Sequence, residues 1–366
     1  MKPYHSGERI IVCPEIEAFG GAERVIVALL DWLGRRAIPH RLVVYYDHIG
    51  MARYMAHKSN VTVLAPWRSP LAKIAALRAY CSRLAANDPK PLMSGFQGAL
   101  HASAAGLRGF HTLMHDTPSL FRNAERPPSV RQRITDHVIR RGLQSGGRTI
   151  VASEYLRAES ARRYDTEIAV ARMGGLPPAE DVRPRPVDGT LRMLSVCRLE
   201  ANKRIDWIMQ ALADLEHGPD ALSRRIGWQL DVVGQGSLLG HLRDLAARLG
   251  ISDRVAFHGF VDDGALNAMY RRSHLFLMPA VQGYGLPAVE ALYRGAPVLL
   301  HRESGVSDIL LDTPWCVVME GGQDNLLPAL RRSIETVLAG KHLTAPLPQI
   351  PTQADWAEQI VGLCGW

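Results

Sequence analysis

Short apolar runs alternate with longer stretches of helical periodicity along the whole chain, and that alternation most limits what it can fold into. In the first half, Ile10–Val12, Leu42–Tyr46, Val61–Leu64, Thr112–Met114 and Ile150–Ala152 read as strands, and Ala22–Arg36, Pro70–Ala86 and Val130–Leu143 as helices. In the second half, Arg192–Val196, Gln229–Val233, Val255–Phe257, Leu275–Met278 and Val298–Leu300 read as strands. Helical patterns follow most of them, at Ile205–Leu215, Leu238–Leu249, Ala265–Ser273 and Pro287–Arg294. Strands that are apolar throughout are buried on both faces, so the pattern predicts parallel sheets covered by helices, the doubly wound α/β class.

A chain of 366 residues is long enough for two cores at roughly 150 residues per domain. The Pro- and Gly-rich stretch Gly174–Gly189, GGLPPAEDVRPRPVDG, interrupts every periodic pattern and marks the boundary. The expected organisation is an N-terminal domain over 1–175 and a C-terminal domain over 188–345. A second Pro-rich break at Ala345–Pro351 precedes a final segment, 346–366, whose helix carries Trp356. Ligands of doubly wound sheets sit at the carboxyl ends of strands, so the loops after strands are where chemistry is expected.

Five such loops have suggestive residues. Ala18–Arg24, AFGGAER, places Gly20 and Gly21 between a strand and a helix start, where backbone can approach a ligand. A tight turn alone would also explain it, and it is not the dinucleotide pattern. Met114–Pro118, MHDTP, puts His115 beside an Asp at a strand end. That pair could position a hydroxyl, although an N-cap Asp next to a surface His is the plainer reading. Ser195–Arg204, SVCRLEANKR, carries Arg198 and Lys203 around one loop, suited to a diphosphate. Two cations at a helix start are disfavoured unless an anion is present. Asp231–Leu238, DVVGQGSL, is a further glycine turn at Gly234, which packing alone could require.

The fifth, Met278–Pro297, MPAVQGYGLPAVEALYRGAP, is the most specific. Gln282 begins a loop of Gly283, Tyr284 and Gly285. Leu286 and Pro287 open a helix at a point where a missing N–H costs nothing, and Glu290 follows one turn later. Loop amides could bind phosphate or sugar hydroxyls, and the carboxylate could take both hydroxyls of a ribose. A capped helix with an exposed Glu explains Pro287 but not the paired glycines.

In order and spacing these motifs resemble the retaining glycosyltransferases of family 4, over nearly the whole chain and most strongly from Leu194 to Asp308. The resemblance implies a GT-B fold, two Rossmann-like domains facing a central cleft, with the last helix crossing back to the first domain. It implies that Gly20 and Gly21 lie near the donor sugar and β-phosphate, and that His115 contacts the donor sugar. Arg198 and Lys203 would hold the diphosphate and stabilise the leaving group. Gly234 and the 283–286 loop would meet the donor, Glu290 the ribose, and Phe260–Val261 the base. One departure stands out: the family pattern has Glu where this chain has Gln282. An amide still accepts a hydrogen bond and also donates, and the exchange is worth on the order of 1 kcal/mol in sugar binding.

The expected reaction is glycosyl transfer with retention from a nucleotide-diphosphate sugar, with mannose from GDP preferred and UDP and ADP open. No cofactor is expected beyond that substrate. No DxD-type motif stands where this fold would need one, so no metal is expected either. The acceptor would be a saccharide or lipid-linked saccharide of envelope polysaccharide. The net charge is +7, and no nucleic-acid-binding pattern accompanies it. Arg131, Arg133, Arg140 and Arg141 of 130–143, with Arg162 and Arg163, could touch anionic lipid, and a helix packed on its own domain is the ordinary alternative. Five scattered cysteines argue for a reducing compartment, and no signal peptide or spanning segment is evident. The expectation is therefore a cytoplasmic protein able to reach the inner membrane face. Two rivals remain: a GT-B partner subunit that has lost turnover, motivated by Gln282, and a nucleotide-sugar epimerase.

Overall fold

The structure, a computed structural model, describes residues 7–17, 19–115, 129–175, 182–219, 221–311 and 313–366. Ala18 of the first glycine motif, Asp116–Pro118 of the His115 motif and part of the Pro-rich stretch lie outside them. The chain forms two compact units, Met1–Gly174 with Pro351–Trp366, and Gly175–Ile350.

In chain order the N-terminal unit contains β1 (Arg9–Val12), β2 (Glu15–Ile16), α1 (Gly21–Arg35), β3 (His40–Val44), β4 (Tyr46–Asp47), β5 (Asn60–Val63), α2 (Pro70–Cys81), β6 (Leu92–Ser94), α3 (Gly95–Ala104), β7 (His111–Met114), α4 (Val130–Leu143), β8 (Thr149–Val151), α5 (Glu154–Tyr164) and β9 (Ile168–Val170). Its main sheet is parallel with strand order β5-β3-β1-β6-β7-β8-β9, and β2 and β4 make a separate two-stranded pair. Every residue of β3 and β7 is buried, as strands covered on both faces must be.

The C-terminal unit contains β10 (Thr190–Val196), α6 (Ile205–His217), β11 (Gly227–Val233), α7 (Leu239–Arg248), β12 (Val255–Gly259), α8 (Asp263–Arg272), β13 (Leu275–Met278), α9 (Leu286–Leu292), β14 (Val298–His301), β15 (Cys316–Met319) and α10 (Leu326–Leu338). Its parallel sheet has order β12-β11-β10-β13-β14-β15. The core gathers Met209 and Leu212 of α6, Leu230 and Val232 of β11, and Leu330 and Ile334 of α10. Trp228 lies beneath them, its indole N–H donating to Glu216 Oε2 at 2.8 Å.

The last helix, α11 (Gln353–Cys364), belongs to the N-terminal unit, where it packs on α1 and buries Trp356. Its start is fixed by a capping box: Thr352 accepts from the Asp355 amide, and Asp355 accepts from the Thr352 amide.

The sequence pattern locates most of these elements to within two residues, but it omits β2, β4, β6, α3, α5, β9, β15 and α10. β6 and β9 have only three residues each, too few for a periodicity to register. α5, EYLRAESARRY, is too charged to show an apolar stripe. α2 ends at Cys81 rather than Ala86, because Asp88 captures the Ala85 and Gly7 amides and turns the chain.

Candidate functional site

In the C-terminal sheet the chain leaves β10 toward β11 and β12, then returns to β13 on the other side of β10. The loops after β10 and β13 therefore diverge to opposite faces and leave a crevice at the carboxyl edge, the place where such sheets bind ligands. The motif with Arg198 and Lys203 follows β10, and the motif with Gln282 follows β13.

Lys203 and Gln282 meet there, 79 residues apart in sequence, with the Lys203 ammonium donating to Gln282 Oε1 at 2.9 Å. Arg204 adds a second bridge, its guanidinium donating to the Pro279 carbonyl at 3.0 Å and lying over the Trp207 ring. Arg204 has a φ of 59°, a left-handed conformation that costs energy for any residue but glycine. Sequence reading missed it, since a third cation after Lys203 gave no signal that its backbone would be strained. Arg198 points elsewhere: its side chain is 73% exposed and pairs with Glu200 at 2.8 Å. Exposed pairs contribute about 0–1 kcal/mol, so this guanidinium is readily released to another anion.

The 282–286 loop is held from below. Gly305 and Val306 amides donate to the Gln282 and Tyr284 carbonyls, and Ser304 Oγ donates to the Ala280 carbonyl. Tyr284 is buried. Gly285 has φ 109°, and a Cβ there would lie 2.6 Å from Met278 Cε, so the turn into α9 needs glycine. Glu290 is buried one turn into α9 and accepts from the Tyr270 hydroxyl at 3.0 Å. It is not the exposed carboxylate of a merely capped helix.

Gly234 ends β11 against the loop that carries Arg198. With φ 134°, a Cβ there would fall 1.8 Å from the Cys197 carbonyl oxygen. The Leu199 amide donates to the Gln235 carbonyl, tying the two loops together. Phe260 follows β12 and is 78% exposed, with Val261 half-buried beside it. β12 lies two strands from β10, so Phe260 sits about 10 Å along the edge from the crevice.

The N-terminal sheet switches direction between β1 and β6. His115, just past β7, is hydrogen-bonded through Nε2 to Ser94 Oγ at 2.8 Å. Burial pushes the imidazole down to about 4, so the ring is neutral at pH 7. Its Nδ1 is buried, with no partner among the described residues. Burial likewise raises the neighbouring Cys13 thiol to about 12, which leaves it a protonated, inert group. Ser94 was missed along with β6. Gly20 caps α1, and its amide donates to Glu23 Oε2 at 3.0 Å. Gly21 is the first residue of that helix. Among the described residues no cluster of His, Cys, Asp or Glu is placed to hold a metal ion, and no helix is long and apolar enough to cross a membrane.

The family model of glycosyl transferases group 1 matches residues 180–335. An uncharacterized glycosyltransferase of Methanocaldococcus jannaschii is 30% identical over 124 residues, 34% of this chain and 30% of that one. The GDP-mannose-dependent alpha-(1-6)-phosphatidylinositol monomannoside mannosyltransferase of Mycolicibacterium smegmatis is 28% identical over 222 residues, 52% of this chain and 55% of that one. Several curated relatives thus match over only about a third to a half of their own length. The crystal structure of Anabaena HepE in complex with UDP-glucose has a TM-score of 0.72 at 16% identity, covering 99% of this chain and 100% of that one. That likeness shows the fold: two Rossmann-like parallel-sheet units of the GT-B type.

Proposed function

We propose that this chain, whose residues 180–335 belong to glycosyl transferases group 1, is a glycosyltransferase that binds a nucleotide-diphosphate sugar at the carboxyl edge of its C-terminal unit. The observation that carries the proposal is the Lys203–Gln282 hydrogen bond, which joins two motifs at the switch point of that sheet. Lys203 holds the diphosphate, and Arg198 exchanges Glu200 for it. Gln282 and the 283–286 loop take the sugar, Glu290 the ribose, Gly234 a phosphate, and Phe260 and Val261 the base.

In the transfer, the bond from the anomeric carbon to the diphosphate breaks and a bond to the acceptor oxygen forms on the same face. The acceptor proton passes to the leaving phosphate oxygen, and the two cations stabilise the developing charge. Neither a metal nor a cofactor takes part. The N-terminal unit selects the acceptor, a saccharide or lipid-linked saccharide of envelope glycan. Its neutral His115, and the Gly20–Gly21 turn, serve the donor sugar. The mannosyltransferase relative supports mannose as the sugar and a lipid-linked acceptor, and the HepE structure supports UDP-glucose as the other donor to try first.

The test is a thermal-shift panel of GDP, UDP, ADP and their sugars on wild type and Arg198→Ala. A nucleotide at 100 times its dissociation constant adds about 2.7 kcal/mol of apparent stability. One base should stabilise wild type and lose that effect in the variant. Stabilisation by none at millimolar concentration refutes the donor site. With the base known, an NMR assay of the product's anomeric configuration in the presence of EDTA checks retention and metal independence together. Conversion of the donor without acceptor would instead indicate epimerisation.

A further inference from the structure

Arg204 stands where an arginine is unfavourable on three counts. Residues Ala201–Lys203 make a single 3-10 turn and α6 begins at Ile205, so residue 204 must redirect the backbone between the two. It does so at φ 59° and ψ 34°, a left-handed conformation that glycine or asparagine enters with less strain. Residue 204 is also the N-cap of α6, where a Ser, Thr, Asp or Asn side chain would accept from a free amide. Arginine has no acceptor to offer, and none of its atoms caps the helix. Its charge, finally, lies at the positive end of the helix dipole. Glycine would relieve all three. Strain kept at the edge of a binding crevice points to what the side chain holds there.

The guanidinium leaves the loop after β10 and reaches the loop after β13. It donates to the carbonyl of Pro279, 75 residues away, at 3.0 Å. Pro279 is buried where β13 ends, so its carbonyl needs a partner. The same guanidinium lies 4.3 Å from the centre of the Trp207 ring. Trp207 is three residues further along, on the same side of the helix, and packs against the C-terminal core. Burial works against the charge on Arg204, and the carboxylates of Glu303 and Asp206 favour it. The bridge is thus rooted in α6 and ends on the backbone beyond β13.

Lys203 spans the same gap in another way. Its ammonium donates to Gln282 Oε1 at 2.9 Å, a contact between two flexible side chains. A diphosphate in the crevice would draw the ammonium to itself, because charged acceptors make the stronger bond. The Arg204 bridge ends on a carbonyl that no anion replaces, so it can persist when Lys203 turns to a ligand. In the sheet, β13 lies between β10 and β14. From the β14 side, Ser304 and Gly305 hold the carbonyls of Ala280 and Gln282. Arg204 holds the same loop from the β10 side, and Lys203 is its neighbour in the chain. One short turn therefore carries both the ammonium and the anchor of the loop opposite.

We propose that Arg204 is a positioning residue of the glycosyl transfer. It touches no reacting atom. Its bridge to Pro279 fixes the spacing between the diphosphate on Lys203 and the sugar in the 282–286 loop. The inference rests on the donor site proposed above and adds the residue that sets its width.

The experiment replaces Arg204 by glycine and by lysine in the full chain. Calorimetry compares GDP, UDP and ADP with their sugars, and release of nucleoside diphosphate from the sugar donor to water gives a rate that needs no acceptor. Arg204→Gly relieves the backbone and leaves the Pro279 carbonyl to water, two effects of opposite sign. It should therefore melt within about 4 °C of wild type. The bare nucleoside diphosphate should bind this variant within about two-fold of wild type, and the nucleotide sugar about ten-fold more weakly. The release rate should fall about a hundred-fold, the effect of a sugar misplaced by about 1 Å. Arg204→Lys keeps a charged donor on a long stem and should recover about ten-fold of that rate. A support of the fold alone would weaken both ligands together, so equal weakening overturns the proposal. A glycine variant that binds and reacts like wild type overturns it, and so does one whose melting temperature collapses. A lysine variant no faster than the glycine one does the same. Wild type that binds no nucleotide defeats the donor site itself and this proposal with it. Wild type that binds while the variants match it defeats this proposal alone.

Discussion

In the C-terminal unit the turn after β11 exists because position 234 has no side chain: a Cβ there would overlap the Cys197 carbonyl oxygen, and the backbone is left-handed. The matching turn of the N-terminal unit, after β1, is under no such constraint. Gly20 has an extended backbone, and a Cβ would meet only the tip of the flexible Glu23 side chain at 3.2 Å. The contrast extends to the rest of each edge. The C-terminal crevice is laced by backbone hydrogen bonds and by the bond from the Lys203 ammonium to the Gln282 amide oxygen. The N-terminal one presents a buried neutral imidazole against a serine. A rigid, backbone-defined edge suits a ligand that is always the same, such as a nucleotide diphosphate. An edge made of side chains is easily altered for a new acceptor. Packing demands glycine at position 234 but not at position 20.

The largest effect should separate those two glycines. Gly234→Ala should destabilise the C-terminal unit by more than about 3 kcal/mol through backbone strain and the carbonyl clash, and nucleotide binding should vanish with it. Gly20→Ala should cost only the poorer helix cap, about 1 kcal/mol, and a loss of transfer rate in the still-folded variant would then report on ligand approach. Chemical unfolding followed by the Trp228 indole in the C-terminal core reads the first, and circular dichroism melting with a turnover assay reads the second. Equal stability losses in the two variants would break the comparison.

Acidification should act next, and unequally. Burial holds both His111 and His115 down to about 4, against an ordinary value of 6.5. A histidine depressed in the folded state is protonated first in the unfolded chain. Stability is therefore complete above about pH 6.5 and falls as the pH drops toward 4, by about 2 kcal/mol per imidazole at pH 5. His111 has a visible reason to resist protonation, since its Nδ1 accepts from the Arg148 amide at 3.0 Å. His111 opens β7 and His115 follows it, so hydrogen exchange at pH 5 should show the N-terminal unit losing protection before the C-terminal unit. His115→Asn should flatten the acid slope. Earlier opening of the C-terminal unit would mean that its own depressed imidazoles, His274, His301 and His342, outweigh these two.

How much of this could be read from the sequence follows the same division. The central strands of the C-terminal sheet, such as Leu275–Met278, are apolar on both faces and stand out in any window. Its loops carry glycines that sterics demand, so motif and structure coincide there. The N-terminal edge was less legible. β6 is three residues long, and with it went Ser94, the partner of His115. No local pattern could have shown that Lys203 would meet Gln282, because the crossing of the chain from β12 to β13 brings them together.

The smallest expected effect is the sharpest test of that pair. Gln282→Glu places a carboxylate where an amide oxygen now accepts from Lys203 at 2.9 Å. A charged acceptor strengthens the bond from a neutral sugar hydroxyl from about 0.5–1.5 to about 1.5–3 kcal/mol, and it turns the contact with the Lys203 ammonium into an ion pair. The two consequences oppose each other for different ligands. A bare nucleoside diphosphate competes with the new carboxylate for Lys203 and should bind more weakly. The nucleotide sugar recovers the loss through its hydroxyl. The ratio of the two affinities, measured by calorimetry, should therefore shift toward the sugar-bearing ligand by on the order of 1 kcal/mol, about five-fold. An unchanged ratio would mean that position 282 touches no sugar and serves only to hold Lys203. The C-terminal edge would then be specified by backbone alone, which would sharpen the contrast between the two units.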